Sequence, residues 1–398
     1  MEHKTRIKGN VHYVGVNDRN KHRFEGMWPL PYGVSYNSYL IDDEMVALVD
    51  TVDICYFEVY LRKIKQVIGE RPINYLIINH MEPDHSGSIR LIKQHYPGII
   101  IVGNKQTFGM IEGFYGVTGE QYLVKEGDFL ALGHHKLRFY MTPMVHWPET
   151  MMTFDETDGV LFSGDGFGCF GTVDGGFLDT RINVDKYWGE MVRYYSNIVG
   201  KYGSPVQKAL QKLGGLPISA ICSTHGPVWT ENIAKVIGIY DRLSRYDADE
   251  GVVIAYGSMY GNTEQMAEAI AEELSAQGIK NIVMHNVSKS DPSYIIADIF
   301  RYKGLIIGSP TYSNQIFPEV ESLLSKILVR ELKGRYLGYF GSFTWAGAAV
   351  KRMAEFAEKS KFELVGDPVE MKQAMRDITY TQCENLAHAM AERLKKDR

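Results

Sequence analysis

Apolar and polar positions follow different patterns in the two halves of this chain. Before residue 247, short apolar runs of strand character, such as 38–41, 46–49 and 160–163, are separated by glycine- and aromatic-rich loops. A helical pattern at 57–68 lies between some of them. Short strands with interspersed helices favour a layered sandwich that carries its helices on the outside.

From residue 251 onward, longer apolar strands alternate with helical patterns. We predict strands at 252–256, 304–308 and 336–340, and helices at 263–277 and 318–328. Near-continuous apolar strands are buried on both faces, so this alternation predicts a doubly wound parallel sheet. The polar run 247–251 separates the two patterns, and we therefore predict domains at residues 1–250 and 251–398.

One short segment of the first half is rich in potential metal ligands. His80, Glu82, Asp84 and His85 fall within six positions, directly after the apolar run 75–78. The following proline favours an extended Glu82, and in an extended segment the side chains at 80, 82 and 84 point to one side. Burying four such groups without a cation is costly, so we predict a metal site rather than a polar surface loop.

Three further candidate ligands each follow a short apolar strand. They are His146, Asp165 and His225, and the ends of sheet strands hold converging ligands rigidly. Together with the first segment they offer four imidazoles, three carboxylates and no thiolate, which suits redox-active iron. The general order of metal affinities nevertheless favours zinc over ferrous iron, so the ligands alone leave a di-zinc hydrolase open.

Three loops of the second half follow predicted strands at their carboxyl ends, where open α/β sheets bind ligands. The first is rich in glycine and hydroxyl groups and leads into a helix, whose free N–H groups favour a phosphate. The other two offer aromatic rings for stacking on a planar group. The candidate residues are Ser258, Met259, Tyr260, Gly261, Asn262, Thr263, Pro310, Thr311, Tyr312, Ser313, Asn314, Ser342, Phe343, Thr344, Trp345, Ala346 and Gly347.

Composition excludes several classes of protein. The net charge of −5 gives no footprint for nucleic acid or acidic lipid. No apolar run approaches the ~20 residues of a membrane helix, and none near the N-terminus indicates a secretory signal. The four cysteines are far apart and form no Cys-x-x-Cys motif, so we expect unpaired core thiols in a reducing cytoplasm and no internal rubredoxin.

The ligand pattern resembles the metallo-β-lactamase superfamily, whose first motif is usually His-x-His-x-Asp-His, and Glu82 in place of the second histidine is the mark of flavodiiron proteins. This resemblance implies an αββα sandwich followed by a flavodoxin-like domain. It implies that His80, Glu82 and His146 bind one iron, that Asp84, His85 and His225 bind the other, and that Asp165 bridges them. A bridging oxo or hydroxo group would neutralise the remaining positive charge.

The same resemblance implies a function. The second half resembles flavodoxin, so its ligand would be FMN, with its phosphate at the loop 258–263. FMN would pass electrons from an external donor, rubredoxin or reduced deazaflavin, to a diiron site that reduces dioxygen to water, nitric oxide to nitrous oxide, or both. The family implies a head-to-tail homodimer, possibly a dimer of dimers. Tyr195 is our candidate for a hydrogen bond to a bound intermediate, and the alternative function is a di-zinc hydrolase with a regulatory flavodoxin module.

Overall fold

The computed structural model describes residues 5–397 and divides the chain into two compact units. The first unit runs up to Tyr195 and continues from Tyr202 to Ser244. The second unit contains Ser196–Lys201 and everything from Arg245 onward. The bounds predicted from the sequence, 1–250 and 251–398, stay a prediction.

The first unit is built on two mixed β-sheets. The strands of the first sheet from Arg6–Lys8 to Ala47–Val49 pair antiparallel, and those from Ala47–Val49 to Gln121–Leu123 pair parallel. In the second sheet the first four strands pair antiparallel, and Val160–Gly164 pairs parallel with Ala220–Ser223. In spatial order the seven strands of the first sheet are Arg6–Lys8, Val11–Tyr13, Tyr39–Ile41, Ala47–Val49, Tyr75–Ile77, Ile100–Gly103 and Gln121–Leu123. The five strands of the second sheet are Phe129–Ala131, Lys136–Met141, Met151–Asp155, Val160–Gly164 and Ala220–Ser223.

The core of this unit lies between the two sheets. Val49 and Ile77 of the first sheet share one buried apolar cluster with Phe139, Phe162 and Cys222 of the second sheet. The longer helices bury one apolar face. In Phe57–Ile68, for example, the buried residues recur at helical spacing. The α-helices are Phe57–Ile68, Pro83–Ser86, Ile89–His95, Lys105–Tyr115, Asp185–Tyr194, Gly203–Leu213 and Ile233–Ser244, with a 3₁₀ turn at Ile54–Tyr56. A π-helical turn at Tyr195–Val199 and a 3₁₀ turn at Gly200–Tyr202 lie mostly in Ser196–Lys201, which belongs to the second unit.

Two short hairpin-like pairs complete the first unit. Val16–Asp18 pairs with Val34–Tyr36, and Arg23–Phe24 pairs with Trp28–Pro29. The predicted αββα sandwich is confirmed. Its strands agree with the sequence expectation to within one or two residues, and the helix predicted at 57–68 is confirmed residue for residue.

The second unit is a parallel sheet with helices between its strands. The first strand along the chain lies second in space, which is the 2-1-3-4-5 order of flavodoxin-like folds. In spatial order the strands are Ile282–Asn286, Asp249–Tyr256, Tyr302–Tyr312, Tyr336–Phe343 and an interrupted fifth strand, Glu363–Leu364 and Val369–Lys372, while Gln315–Ile316 pairs with the third. The helices are Asn262–Ala276, Pro292–Arg301, Pro318–Leu328, Ala349–Ser360 and Asp377–Lys395. The predicted doubly wound sheet is confirmed.

Some local expectations are corrected by the structure. Pro83–Ser86 forms a helical turn rather than an extended segment. All four cysteines are free, but Cys55 is exposed and so is not a core thiol. Within residues 5–397 no helix combines the length and apolarity needed to span a membrane. The expectation about a secretory signal falls partly on residues 1–4, which lie outside the described residues.

Candidate metal centre and cofactor cleft

The loop that carries His80 is fixed at the end of a buried strand. It follows Tyr75–Ile77, and the carboxylate of Asp50 accepts hydrogen bonds from the backbone N–H groups of Asn79 at 2.8 Å and His80 at 3.4 Å. The amide of Asn79 donates to the same carboxylate at 3.1 Å. Because Asp50 lies at the end of the neighbouring strand Ala47–Val49, the two strands together set where the loop begins.

The first three predicted ligands converge on one point. The Nε2 atom of His80 lies 3.4 Å from Nε2 of His146 and 3.6 Å from Oε2 of Glu82. His146 Nε2 and Glu82 Oε2 are 3.1 Å apart. Two imidazole nitrogens and one carboxylate oxygen therefore form a triangle, with all three side chains buried.

The helical turn Pro83–Ser86 creates a second triangle beside the first. Glu82 is still extended at the start of this turn, but Asp84 and His85 are already helical. The expectation that residues 80, 82 and 84 point to one side is therefore wrong for Asp84. Its oxygens lie 3.6 Å from His85 Nε2 and 3.4 Å from His225 Nε2, which makes a separate triangle of donors.

Asp165 stands between the two triangles and offers one oxygen to each. Its Oδ2 atom lies 3.0 Å from His146 Nε2 and 3.7 Å from His80 Nε2. Its Oδ1 atom lies 3.2 Å from His85 Nε2 and 3.6 Å from His225 Nε2, and it accepts a hydrogen bond from the hydroxyl of Thr224. This is the arrangement of a carboxylate that bridges two cations.

Several polar atoms of the cluster are buried and have no hydrogen-bond partner among the described residues. They include both carboxylate oxygens of Asp84 and Nε2 of His225. Orphaned buried polar atoms of this kind are rare and call for an explanation such as a bound ion. A protonated His85 can offset part of the negative charge of these carboxylates. Burial by itself would lower the pKa of His85, but the charges of Asp84 and Asp165 outweigh burial and raise it to about 10.

The donor set fits a pair of metal ions. Ligands bound tetrahedrally at ~2.0–2.2 Å lie roughly 3.3–3.6 Å from one another, and the distances within each triangle are close to that range. Each triangle supplies three protein donors, and an oxygen of Asp165 adds a fourth to each. All of these donors are imidazole nitrogens or carboxylate oxygens. Imidazole with carboxylate suits iron or zinc, whereas a thiolate-free site does not suit an iron–sulfur cluster.

An aromatic wall closes the cluster beside His225. The ring of Phe24 lies 5.4 Å from the His225 ring and the ring of Tyr194 lies 5.7 Å from it. The hydroxyl of Tyr194 is buried and has no hydrogen-bond partner within residues 5–397. Burial, together with the charge of Asp165, raises the pKa of Tyr194 well above its usual range, so the hydroxyl keeps its proton and remains a donor. Tyr195 packs instead against Tyr240, with ring centroids 5.1 Å apart.

The predicted loops of the second unit surround a cleft of about 450 Å³. Its volume lies in the ~300–1,000 Å³ range of small-molecule sites. Tyr260 and Trp345, which are 90% and 81% exposed, stand at this cleft. The lining residues are Met259, Tyr260, Asn262, Thr263, Pro310, Thr311, Tyr312, Ser313, Asn314, Ser342, Phe343, Thr344, Trp345, Ala346 and Gln373. Ser258, Gly261 and Gly347 belong to the same loops but do not line the cleft.

The loop before the helix Asn262–Ala276 has the form of an anion cradle. Gly261 precedes the helix at φ +90°, a conformation that favours glycine, and its N–H donates to the hydroxyl of Ser258 at 3.1 Å. The helix begins at Asn262, one residue before the predicted start, so Thr263 lies within its first turn, and the Thr263 hydroxyl is 2.9 Å from that of Ser342. The free N–H groups and the dipole of this long helix are therefore suited to bind a phosphate-sized anion.

Comparison with known proteins agrees with both halves of the structure. Residues 34–226 match the family described as ODP family beta lactamase, and residues 254–386 match flavodoxin. The anaerobic nitric oxide reductase flavorubredoxin of Vibrio vulnificus is 33% identical over 368 residues, which cover 90% of this chain and 73% of that protein.

The chain belongs to the flavodiiron protein family.

Solved structures of this family extend the likeness to nearly the whole chain. The rubredoxin oxygen:oxidoreductase of Desulfovibrio gigas has a TM-score of 0.95 and 31% identity, and the match covers 98% of both chains. The flavodiiron protein from Giardia intestinalis has a TM-score of 0.92 and 27% identity, with 97% of this chain and 95% of that chain covered.

Sequence reasoning missed three residues at these sites. Gln373 lines the flavodoxin-like cleft but follows a strand that had not been predicted. Tyr194 was passed over in favour of its neighbour Tyr195, because one helical step decides which side chain faces the cluster. Glu149 binds the ring of His80 from behind, and only its closeness in sequence to His146 could have drawn attention to it.

Proposed function

We propose that this flavodiiron protein reduces dioxygen to water, nitric oxide to nitrous oxide, or both, at an iron pair held in the first unit, with FMN held in the second. The single observation that carries this proposal is the pair of donor triangles that share Asp165. Two triangles of imidazole and carboxylate with orphaned buried atoms fit two cations. Glu82 distinguishes this ligand set from the usual metallo-β-lactamase motif.

Each metal position would be held by a defined set of residues. His80, Glu82 and His146 would bind one iron and Asp84, His85 and His225 the other, with Asp165 shared by both. When bound, the iron pair would supply the redox chemistry that reduces the gas, and FMN would supply the electrons singly. The protein contributes by fixing the ligands in place before the metals arrive, since strand ends and Asp50 already hold them.

The aromatic residues beside His225 would exclude water from the cluster and supply a hydrogen-bond donor. Phe24 and Tyr194 close the side of His225 with apolar surface, which excludes bulk water but admits a small neutral gas. The hydroxyl of Tyr194 is a buried donor with its proton retained. We propose that it donates a hydrogen bond into the site beside His225. The role of Tyr195 in catalysis, predicted from the sequence, would then pass to its neighbour.

FMN would occupy the cleft of the second unit. The loop 258–263 and the N-terminus of the helix Asn262–Ala276 would hold its phosphate. Tyr312 and Trp345 would stack on its ring, since both are large aromatic side chains that line the cleft and are substantially exposed. The remaining polar groups of the three loops would orient the edge of the ring.

The name of the solved relative from Desulfovibrio gigas, a rubredoxin oxygen:oxidoreductase, supports rubredoxin as the electron donor. We propose rubredoxin or a reduced deazaflavin as that donor, and a head-to-tail homodimer that brings the FMN of one chain to the iron pair of another. Mixed dimers of a Glu82→Ala chain and a Trp345→Ala chain test this arrangement. Activity above that of either parent dimer is expected, and none in verified mixed dimers would contradict the arrangement in trans.

One experiment tests the proposed function directly. The protein is loaded with iron and FMN, both are quantified, and the reduced protein is mixed anaerobically with dioxygen or nitric oxide in a stopped-flow instrument. We expect two irons and one FMN per chain, and reoxidation by at least one gas far faster than that of free FMN. A sample that retains only zinc, reacts with neither gas and hydrolyses esters or lactams would instead establish the di-zinc hydrolase.

A further inference from the structure

Glu149 forms a hydrogen bond with the His80 ring through Nδ1, the ring nitrogen that does not face the other ligands. Its Oε1 atom lies 2.7 Å from Nδ1 of His80 and accepts a second hydrogen bond from the backbone N–H of Met81 at 2.9 Å. The side chain of Glu149 is fully buried. Its own backbone carbonyl accepts from the side-chain amide of Asn104 at 2.6 Å, so the backbone of Glu149 is held as well as its Oε1 atom.

The imidazoles of the cluster differ in what lies behind them. Nδ1 of His225 lies 2.8 Å from the backbone carbonyl of Ser35, which is a neutral acceptor. Nδ1 of His85 has no hydrogen-bond partner within the described part of the chain. His80 therefore differs from these two, since its Nδ1 faces a full negative charge.

This contrast has a chemical consequence. A carboxylate that accepts from Nδ1–H fixes the tautomer in which Nε2 carries the free electron pair, and it makes that nitrogen a stronger donor. Nε2 of His80 is the atom that faces His146 and Glu82, 3.4 Å and 3.6 Å away. The two metal positions are consequently unequal, because only one of them receives this stronger donor among the three rings compared.

We propose that Glu149 is a positioning residue that tightens iron binding at the His80 position and lowers the reduction potential of the iron pair. The inference rests on the proposed function and adds an asymmetry to it. A stronger imidazole donor stabilises the ferric form more than the ferrous form. The iron next to His80 is therefore retained more firmly and is the harder of the two to reduce.

Two substitutions separate the charge of Glu149 from its shape. Glu149→Gln can keep an oxygen at the Oε1 position, where it still accepts from His80 and Met81. Its amide nitrogen then falls at the Oε2 position, an atom that has no hydrogen-bond partner in residues 5–397. Glu149→Ala removes the acceptor entirely. The first variant tests the negative charge, and the second tests the charge and the hydrogen bonds together.

Asp179→Asn is the matched control. Asp179 is a buried carboxylate of the same unit and accepts from the backbone N–H groups of Thr230 at 2.9 Å and Glu231 at 3.0 Å. Its hydrogen-bond partners Thr230, Glu231 and Asn232 lie in the segment that leads into the helix Ile233–Ser244, and none of them is a predicted metal ligand. A general effect of neutralising a buried carboxylate would appear in this variant as well.

The experiment measures iron affinity by competition with a chelator, the midpoint potential of the iron pair by redox titration followed with EPR, and thermal unfolding. Loss of an outer hydrogen-bond partner typically weakens metal binding by about 10- to 100-fold, and we expect that loss at one of the two positions in Glu149→Ala. In Glu149→Gln we expect an upward shift of the midpoint potential. Asp179→Asn should lower thermal stability alone.

Wild-type affinity and potential in both Glu149 variants would overturn the inference, as would equal changes in Asp179→Asn. Failure of the proposed function has a different signature, since the wild-type protein itself would then not retain iron. In that case the same competition assay with zinc still decides the matter. An unchanged zinc affinity in Glu149→Ala would refute the positioning role, and a 10- to 100-fold loss would support it.

Discussion

The metal centre and the flavodoxin-like cleft differ in how far their polar groups are exposed to solvent. Every predicted metal ligand is buried, and several of their polar atoms lack any partner among the described residues. The cleft is open to solvent, and its aromatic residues Tyr260 and Trp345 are 90% and 81% exposed. Polar groups in the cleft can hydrogen-bond water when no ligand is bound, whereas those of the metal centre cannot.

This difference means that the two cofactors contribute differently to the protein. Cations neutralise carboxylates that would otherwise be costly to bury, so metal binding is coupled to the stability of the first unit. A flavin covers surface that already tolerates water, so its binding is governed by the area that it buries and by the anion site. Variants that affect one site should therefore leave the other intact.

The largest effect is expected from Asp165→Asn. Asparagine keeps the size of the side chain but removes the negative charge that both triangles share. We expect fewer than one iron per chain and a loss of gas-reducing activity greater than about 100-fold, since even outer partners of metal ligands cost up to that much. Metal analysis and stopped-flow kinetics measure both. FMN content serves as the control, and its loss along with iron would contradict the independence of the two sites.

Removal of the metals should destabilise one unit selectively. A ligand present at 1,000 times its dissociation constant stabilises the folded state by about 4 kcal/mol, so chelation should lower the free energy of unfolding of the first unit by roughly that amount. Urea unfolding measures it, with flavin fluorescence following the second unit and tryptophan fluorescence following both. A chelator that shifts the flavin-reported transition equally would show that the units do not respond separately.

The metal ligands could be predicted from the sequence because their chemistry is specific. His80, Glu82 and His85 are close together in the chain, and His146, Asp165 and His225 follow strands, so spacing and residue type point to one site. Their division into two triangles could not be derived from the extended geometry that we assumed. The helical turn Pro83–Ser86 decides it, and a turn of four residues leaves almost no periodic signal.

For the cleft, the sequence predicts the three loops but not which of their residues face the ligand. The three loops were predicted because they follow strands of a parallel sheet, and that rule depends only on topology. Which residues face the cleft depends on local geometry. The helix begins at Asn262 rather than at Thr263, and Gln373 reaches the cleft after the interrupted fifth strand. Glu149 and Tyr194 were missed at the metal centre because each matters through one buried contact, with His80 and with His225, that the sequence does not reveal.

Trp345→Ala should weaken flavin binding without affecting the metals. The indole is 81% exposed, and covering most of it with a flavin would contribute about 2 kcal/mol, which corresponds to about 30-fold in the dissociation constant. Titration of the apoprotein with FMN, followed by the quenching of flavin fluorescence, measures this change. Tyr122→Ala is a control, since Tyr122 is an exposed aromatic residue of the first unit, outside the cleft. Equal losses in both variants would argue against stacking on Trp345.

The smallest expected effect distinguishes two adjacent tyrosines at the metal centre. The Tyr194 ring lies 5.7 Å from the His225 ring, whereas Tyr195 packs on Tyr240 at 5.1 Å. Removing one hydroxyl donor costs about 1–1.5 kcal/mol, so Tyr194→Phe should lower kcat by about tenfold with iron and FMN content unchanged. Tyr195→Phe should stay within about twofold of wild type, because its ring packs on Tyr240. The reverse result would restore the sequence-based choice of Tyr195 and show that proximity of the ring to His225 does not select the donor.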